Sequence, residues 1–276
     1  MNLQNIINEI EKADPEVYER LDGRRNAMKS FAKISGRLAL TALPLAFGSM
    51  FQKAYAQSGS TVIIDTLNFA LTLEYIESNF YIKGVAASGL IPSAPAMGAL
   101  TTIRDHEAAH VNFLRTAITA SGGTPVTYTA DQFDFTAKGT FPDVFTNYDT
   151  FLAVAQTFED TGVRAYKGQA GNLISNNDVL TAALNIHSVE ARHASHIRQM
   201  RKARGADVKP WITGNNSGIG DVVAASYAGE ETTNQAGVNI VGINGFASIT
   251  ADRASEAFDE PLTKEQVVAI VTPFFA

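Results

Sequence analysis

Between residues 61 and 88, apolar side chains recur at steps of three and four: Ile63, Leu67, Ala70 and Leu71, then Phe80 and Tyr81. No proline or glycine intervenes before Gly84. That period belongs to an amphipathic helix. The stretch "GLIPSAPAMG" holds two prolines and reads as a loop, and a second helix runs from about Ala96 to Ala120, where "SGGTP" stops it. Residues 123 to 148 carry Pro125, Gly139, Pro142 and several aromatics without a regular period. A third helix is predicted over 149–170, "GNLISNND" turns the chain, and a fourth covers 177–204, closing at Gly205 with basic residues in its last turns. Two helix pairs with short internal loops, separated by one long connection, make an all-α four-helix bundle with one long crossover, spanning 61–204. Residues 206–276 form a small irregular C-terminal segment rich in glycine, asparagine and threonine, with apolar alternation in "GVNIVGI". Near "PLTKEQ", Thr263 and Gln266 have the spacing of a capping box for a short terminal helix. This segment is expected to pack on the bundle or to make a subunit contact.

Composition narrows the chemistry. The 276 residues are 45% hydrophobic and 18% charged, enough to bury a sizeable core. Cysteine is absent, which removes disulfides, iron–sulfur clusters, cysteine zinc sites and thiol catalysis. Any metal must be held by nitrogen and oxygen. The net charge of −6, without a long basic run, gives no support to nucleic-acid binding.

The first 56 residues read as something other than the fold. A polar lead reaches Arg24 and Arg25, then come the apolar run "LALTALPLAFGSMF" and an alanine-x-alanine pattern ending at Ala56. These are the features of a twin-arginine export signal, with Ala27 and Met28 where bulkier apolar residues are commoner. An uncleaved anchor is the alternative, although residues 38–51 alone are too short to span a bilayer. Cleavage would remove eight basic and six acidic residues, leave a charge near −8 and leave no stable membrane span. The expected location is exported, periplasmic or extracellular, by a route that carries proteins already folded.

The glutamates point to a site. Residues 61–204 hold only five, Glu74, Glu77, Glu107, Glu159 and Glu190, and every predicted helix carries at least one. Glu159 lies in a row with Leu152, Ala155, Gly162, Val163 and Tyr166, and Glu74 with Leu67, Ala70, Leu71 and Tyr81. These rows are apolar stripes, where an unpaired carboxylate costs several kcal/mol (about 2–7) or must protonate. Two stretches, "DHEAAH" and "VEARH", set a glutamate three residues before a histidine: Glu107 with His110, and Glu190 with His193. Residues at i and i+3 share a helix face, so each pair can offer an oxygen and a nitrogen to one point. With 14 glutamates and 5 histidines in the chain, about 0.25 such pairs arise by chance. A di-iron or di-manganese carboxylate site takes one glutamate from each of two helices and a Glu-x-x-His from each of the other two. Glu74, Glu107, His110, Glu159, Glu190 and His193 supply that set in that order. Glu77 faces nearly the same way as Glu74 and can bridge or replace it. His106, His187 and His196 each lie within four residues of a motif residue and are candidates to orient the ligands. Tyr166, seven residues after Glu159, is either core or a neighbour of the metals. Arg104 and Asp105 are read as exposed or as partners of the ligands, and Arg192 and Arg198 as solvated.

The motifs "LEYIESNFY", "DHEAAHV", "FEDTGVRAYKG" and "HSVEARHASHIR" resemble the ferritin-like superfamily, and most of all the exported bacterial proteins grouped with plant desiccation-related proteins. The resemblance covers residues 61–204, with looser matches at "SYAGEETTNQAGV" and "AFDEPLTKEQV". In ferritins a tyrosine follows the first-helix ligand by seven positions; the matching pair here is Glu74 and Tyr81, which favours Glu74 over Glu77. The ligand set suits two iron or two manganese ions, with zinc able to bind in vitro. Four glutamates balance two divalent charges. The expected activity is iron oxidation or the reduction of O2 or H2O2, as in a ferroxidase or a manganese catalase, in envelope, desiccation or oxidative stress. The catalytic residues would be the metal ligands themselves. The alternative is a non-catalytic stress-related or structural bundle whose metal is structural or absent. A mineral cage is not suggested, given the appended 206–276 segment and the export signal. The sequence leaves the oligomeric state open, a homo-oligomer included.

Overall fold

The computed structural model describes residues 60–276; the arginine pair, the apolar run and the cleavage pattern lie outside the described residues. Four long helices build the fold: α1 (Ser60–Ala86), α2 (Ala94–Ala120), α3 (Tyr148–Gln169) and α4 (Asn177–Ala203). Their starts follow from local chemistry. Ser93 caps α2 by accepting from the Ala96 amide, with proline in the first turn. Asn147 and Asn176 cap α3 and α4, each accepting from two amides of the first turn. At the far end of α4 the chain turns at Gly205, whose φ of 97° only glycine adopts easily.

α1 packs along α2, and α3 along α4, across short loops, as an antiparallel bundle with one crossover requires. Between the pairs, Tyr81 of α1 reaches Glu159 of α3, and Tyr166 of α3 reaches Glu74 of α1. Rising numbers on one helix meet falling numbers on the other, so α1 and α3 are antiparallel. The interior is apolar above and below this level, from Leu71, Ile76, Leu100 and Leu114 to Ile118, Leu152 and Ile197.

The predicted loop 123–148 is an ordered crossover. Asn68 holds its start by donating to the Thr124 carbonyl and accepting from the Val126 amide. It then delivers Phe135 and Phe145 to Phe80, which stacks on Phe151 at 4.7 Å between ring centres. The C-terminal segment packs on the bundle, where the Leu262 amide donates to the Arg164 carbonyl. The α6 helix (Lys264–Val271), which follows the one-turn α5 (Ala251–Ser255), starts at the predicted capping box of Thr263 and Gln266. Beyond it Phe274 lies 4.7 Å from Phe158, and the Asp134 amide donates to the Phe274 carbonyl. Gly168 permits the approach: a Cβ there would collide with the Leu262 carbonyl oxygen. The alternation of "GVNIVGI" yields only a two-residue β2 (Val238–Asn239) paired with β1 (Asn234–Gln235), because no second layer covers it and Val238 and Val241 stay exposed.

Arg198 departs from expectation. It is 1% exposed rather than solvated, and it forks onto Asp160 with bonds of 2.9 and 2.6 Å, while Arg192 stays outside. Among the described residues no helix is long and apolar enough to cross a membrane.

Candidate metal centre

One carboxylate level crosses the bundle. Glu74, Glu107, Glu159 and Glu190 are 0% exposed, and His110 and His193 are buried with them. Their donor atoms form two overlapping clusters. The first joins Glu74, Glu107, His110 and Glu190; the second joins Glu107, Glu159, Glu190 and His193; within each, the atoms lie within 4.8 Å of one another. All six predicted residues are therefore brought together, and Glu107 and Glu190 belong to both clusters.

The distances repeat across the pair. His110 Nδ1 lies 3.1 Å from Glu74, 3.3 Å from Glu107 and 3.0 Å from Glu190. His193 Nδ1 lies 2.9 Å from Glu107, 3.3 Å from Glu159 and 3.5 Å from Glu190. The halves are related by a local two-fold pseudosymmetry that exchanges α1 with α3 and α2 with α4. Under it Glu74 matches Glu159, Tyr81 matches Tyr166, and each Glu-x-x-His pair matches the other.

The arrangement fits cations. Glu107 Oε1, Glu159 Oε2, both Glu190 oxygens and His193 Nδ1 are buried and have no neutral hydrogen-bond partner; their polar contacts are the carboxylate–imidazole pairs of the two clusters. Buried polar atoms are normally satisfied, because an unsatisfied one carries its full desolvation cost. Here the lone pairs converge instead. Four carboxylates at such spacing repel one another: burial first, then the charge of Glu190, raises Glu107 well above the usual carboxylate range. Burial likewise raises Glu159 to about 7 against the opposing pull of His193. Without a cation the histidines answer this charge. Burial disfavours the His110 imidazolium, but its bonds to Glu107, Glu190 and Glu74 prevail and hold it at about 12. His193 rises as well, held by Glu159 and by its contacts with Glu107 and Glu190 against the cost of burial. Glu190, facing both imidazoliums, falls to about 2 although burial pushes it the other way. Two imidazoliums occupy the electrostatic role of two cations.

The surrounding side chains fix these six residues. Tyr81 donates to Glu159 Oε1 and Tyr166 to Glu74 Oε1, so Tyr166 is a neighbour of the site as well as core. Burial and those carboxylates raise both hydroxyls well above their ordinary value, which keeps them as donors. Glu77 is also buried but belongs to neither cluster. Of the histidines, the structure selects His106: its Nδ1 lies 3.0 Å from His193 Nε2, and the rings are stacked. Burial and the charges of His193 and His110 lower His106. His187 and His196 join neither cluster. His187 turns its ring to the α3 side, where burial lowers it, and His196 stands exposed at the mouth of a cleft. Spacing could not rank these three, because His106 leads its motif on α2 and makes its contact on α4. That cleft, of about 360 Å³, runs between α2 and α4 and is lined by Thr102, Ile103, His106, Arg192, His193 and His196. It brings solvent to the outer edge of the His193 ring. Arg104 and Asp105 pair with each other away from the clusters.

No curated protein and no solved structure matches the chain. The family model of the ferritin-like domain matches residues 63–203, the four helices and their crossover, so the chain belongs to the ferritin-like domain family.

Proposed function

We propose that this chain is an exported di-metal carboxylate protein that holds two iron or two manganese ions and uses them to oxidise Fe(II) or to reduce O2 or peroxide in the cell envelope. The observation that carries this reading is the convergence of six buried donor residues into two clusters sharing Glu107 and Glu190. Glu74 and His110 would hold one ion, Glu159 and His193 the other, and the shared carboxylates would bridge them. A ligand set of oxygen and imidazole favours iron or manganese. Two such ions, each changing by one oxidation step, supply or accept the electron pair that O2 and peroxide chemistry needs.

The protein's own groups prepare the site for that chemistry. Tyr81 and Tyr166 hold one oxygen of Glu159 and of Glu74, leaving the other oxygen free to face a cation. The four glutamates are themselves 0% exposed, so bulk water does not reach their carboxylates. The cleft gives a small molecule a path to the His193 edge, and the proton at His193 Nε2 can pass to His106 Nδ1. Elemental analysis of the protein purified without added metal, then anaerobic Fe(II) or Mn(II) titration followed by O2 or H2O2, tests the reading. Two ions per chain with turnover are expected; fewer than one, without turnover, would defeat it.

A second reading rests on the ligands coming from all four long helices. Ions bound there would staple the bundle in a stress-related protein without catalysis. In that case Glu107→Ala and Glu190→Ala lower the melting temperature of the metal-loaded protein while there is no activity to lose.

A further inference from the structure

Arg192 is the one arginine among the described residues that makes no hydrogen bond or ion pair there. Every other one bonds a carboxylate, a hydroxyl or a carbonyl, from Arg104 on Asp105 to Arg253 on the Ser248 carbonyl. Arg192 stands on the wall of the cleft between α2 and α4, close enough for its charge to act on His106. His106 gives one nitrogen to His193 and keeps the other, and the exposed His196 beside them has no hydrogen-bond partner among the described residues. No carboxylate lines this cleft. In a chain of net charge −6 that is a concave patch of the opposite sign, and low-dielectric walls concentrate its field. The rest of the wall is apolar, from Ala99, Ile103 and Val189, apart from Thr102, whose hydroxyl is turned to the Gly98 carbonyl. The cleft's volume of about 360 Å³ falls within the ~300–1,000 Å³ of small-molecule sites.

These features select a ligand. A cation finds no acid there, and the metal-donor clusters among the described residues are the two of the centre. A guanidinium with its donors free matches a carboxylate in a two-pronged bond, and the apolar wall suits a short hydrocarbon tail. We infer that the cleft binds a small organic monocarboxylate: Arg192 holds the carboxylate, His106 and His196 flank it, and Ala99, Ile103 and Val189 take the tail. Inorganic phosphate shares the anionic head but leaves the apolar wall empty. Because His193 also lines the cleft, the bound molecule rests one imidazole ring away from Glu107 and Glu190. The site goes beyond the two-ion reading and does not depend on it.

Ligand-observed NMR titration of the protein as purified with butyrate tests this, beside acetate, butyramide and inorganic phosphate. Butyrate is expected to bind at one site per chain. Butyramide, which keeps the shape without the charge, should bind at least ~10-fold more weakly. Acetate, two methylenes shorter, should bind at least ~3-fold more weakly, and phosphate more weakly than butyrate. Arg192→Gln should weaken butyrate at least ~10-fold at an unchanged melting temperature, since Arg192 is exposed and belongs to neither cluster. Arg104→Gln, which removes a charge of α2 outside the cleft, should leave butyrate binding as it is. Unaltered binding in Arg192→Gln, or an equal loss in Arg104→Gln, would overturn the site. Phosphate or butyramide binding as tightly as butyrate would overturn the class of ligand. A wild-type chain that binds no butyrate would overturn the inference and leave the count of metal ions untouched.

Discussion

Helices α3 and α4 carry two buried polar groups of residues that look alike by composition and differ in how they are satisfied. One is the carboxylate level at Glu159, Glu190 and His193. The other begins one residue further along α3, where Asp160 receives Arg198 in a two-pronged bond and the Tyr227 hydroxyl at 2.7 Å. Gln156 then donates to Tyr227 and to the Ser217 carbonyl, and Arg201 donates to the Ser217 and Gly218 carbonyls. On the next turn Arg164 bonds the Ser226, Ala228 and Glu260 carbonyls and pairs with Glu230 at 2.7 Å. In this second group only Glu230 Oε2 lacks a partner. In the first, five atoms of the candidate set meet only one another across carboxylate–imidazole contacts. A satisfied network fixes one conformation, here the docking of residues 206–276, whereas carboxylates that converge on one another and on two histidines define a place for cations.

The largest expected effect breaks the satisfied group. Asp160→Ala leaves the Arg198 guanidinium buried and unpaired, and should destabilise the metal-free protein by about 3–5 kcal/mol in urea unfolding. Folded Asp160→Ala should still bind two ions, which separates the lock from the site.

Breaking the other group should do the reverse. Glu190→Ala removes a carboxylate shared by both clusters and should remove at least half of the stabilisation given by Mn(II). In the wild-type chain that stabilisation is about 2.7 kcal/mol per ion at a free concentration one hundred times Kd. Thermal melts with and without Mn(II) measure it. Loss of metal stabilisation in Asp160→Ala but not in Glu190→Ala would reverse the assignment.

pH should sharpen the contrast, because only the carboxylate level exchanges protons for ions. His110, held at about 12, is protonated at neutral pH in the metal-free protein, so an arriving ion must displace that proton. Affinity should rise with pH by up to ~10-fold per unit for each proton released, as Mn(II) titrations between pH 6 and 8 would show. The metal-free fold behaves oppositely. A histidine raised above its ordinary 6.5 contributes stability that is full below that pH and is lost as pH climbs toward 12. An affinity independent of pH would contradict the imidazolium assignment.

The smallest change concerns support. Tyr81→Phe and Tyr166→Phe each remove one bond to a terminal carboxylate, at Glu159 and Glu74, and each should cost ~10-fold in metal affinity. Each variant should still bind two ions with one step weakened, since each tyrosine holds a different terminal carboxylate; unchanged isotherms in both would show that these bonds do not position the carboxylates.

Most of the bundle and the cluster of buried carboxylates and histidines are legible in the sequence because both are periodic. Helical spacing fixes which residues share a face, so Glu74, Glu107, His110, Glu159, Glu190 and His193 follow from position along their own helices. The satisfied group is not legible for the same reason: Asp160 and Arg198 are ordinary charged residues until Tyr227, Ser226 and Glu260 arrive from the irregular segment, and no spacing announces that. Arg198 therefore reads as solvated when it is buried. His106 could not be distinguished from His187 and His196, since its partner His193 lies on another helix.

The central claim is that the six buried residues hold two ions, and the number bound per chain tests it most directly. Equilibrium dialysis of the purified, metal-free protein against Mn(II) or anaerobic Fe(II) should give two ions per chain for the wild-type protein and no more than one for Glu190→Ala. One ion or fewer in the wild-type chain, or two in Glu190→Ala, would contradict it.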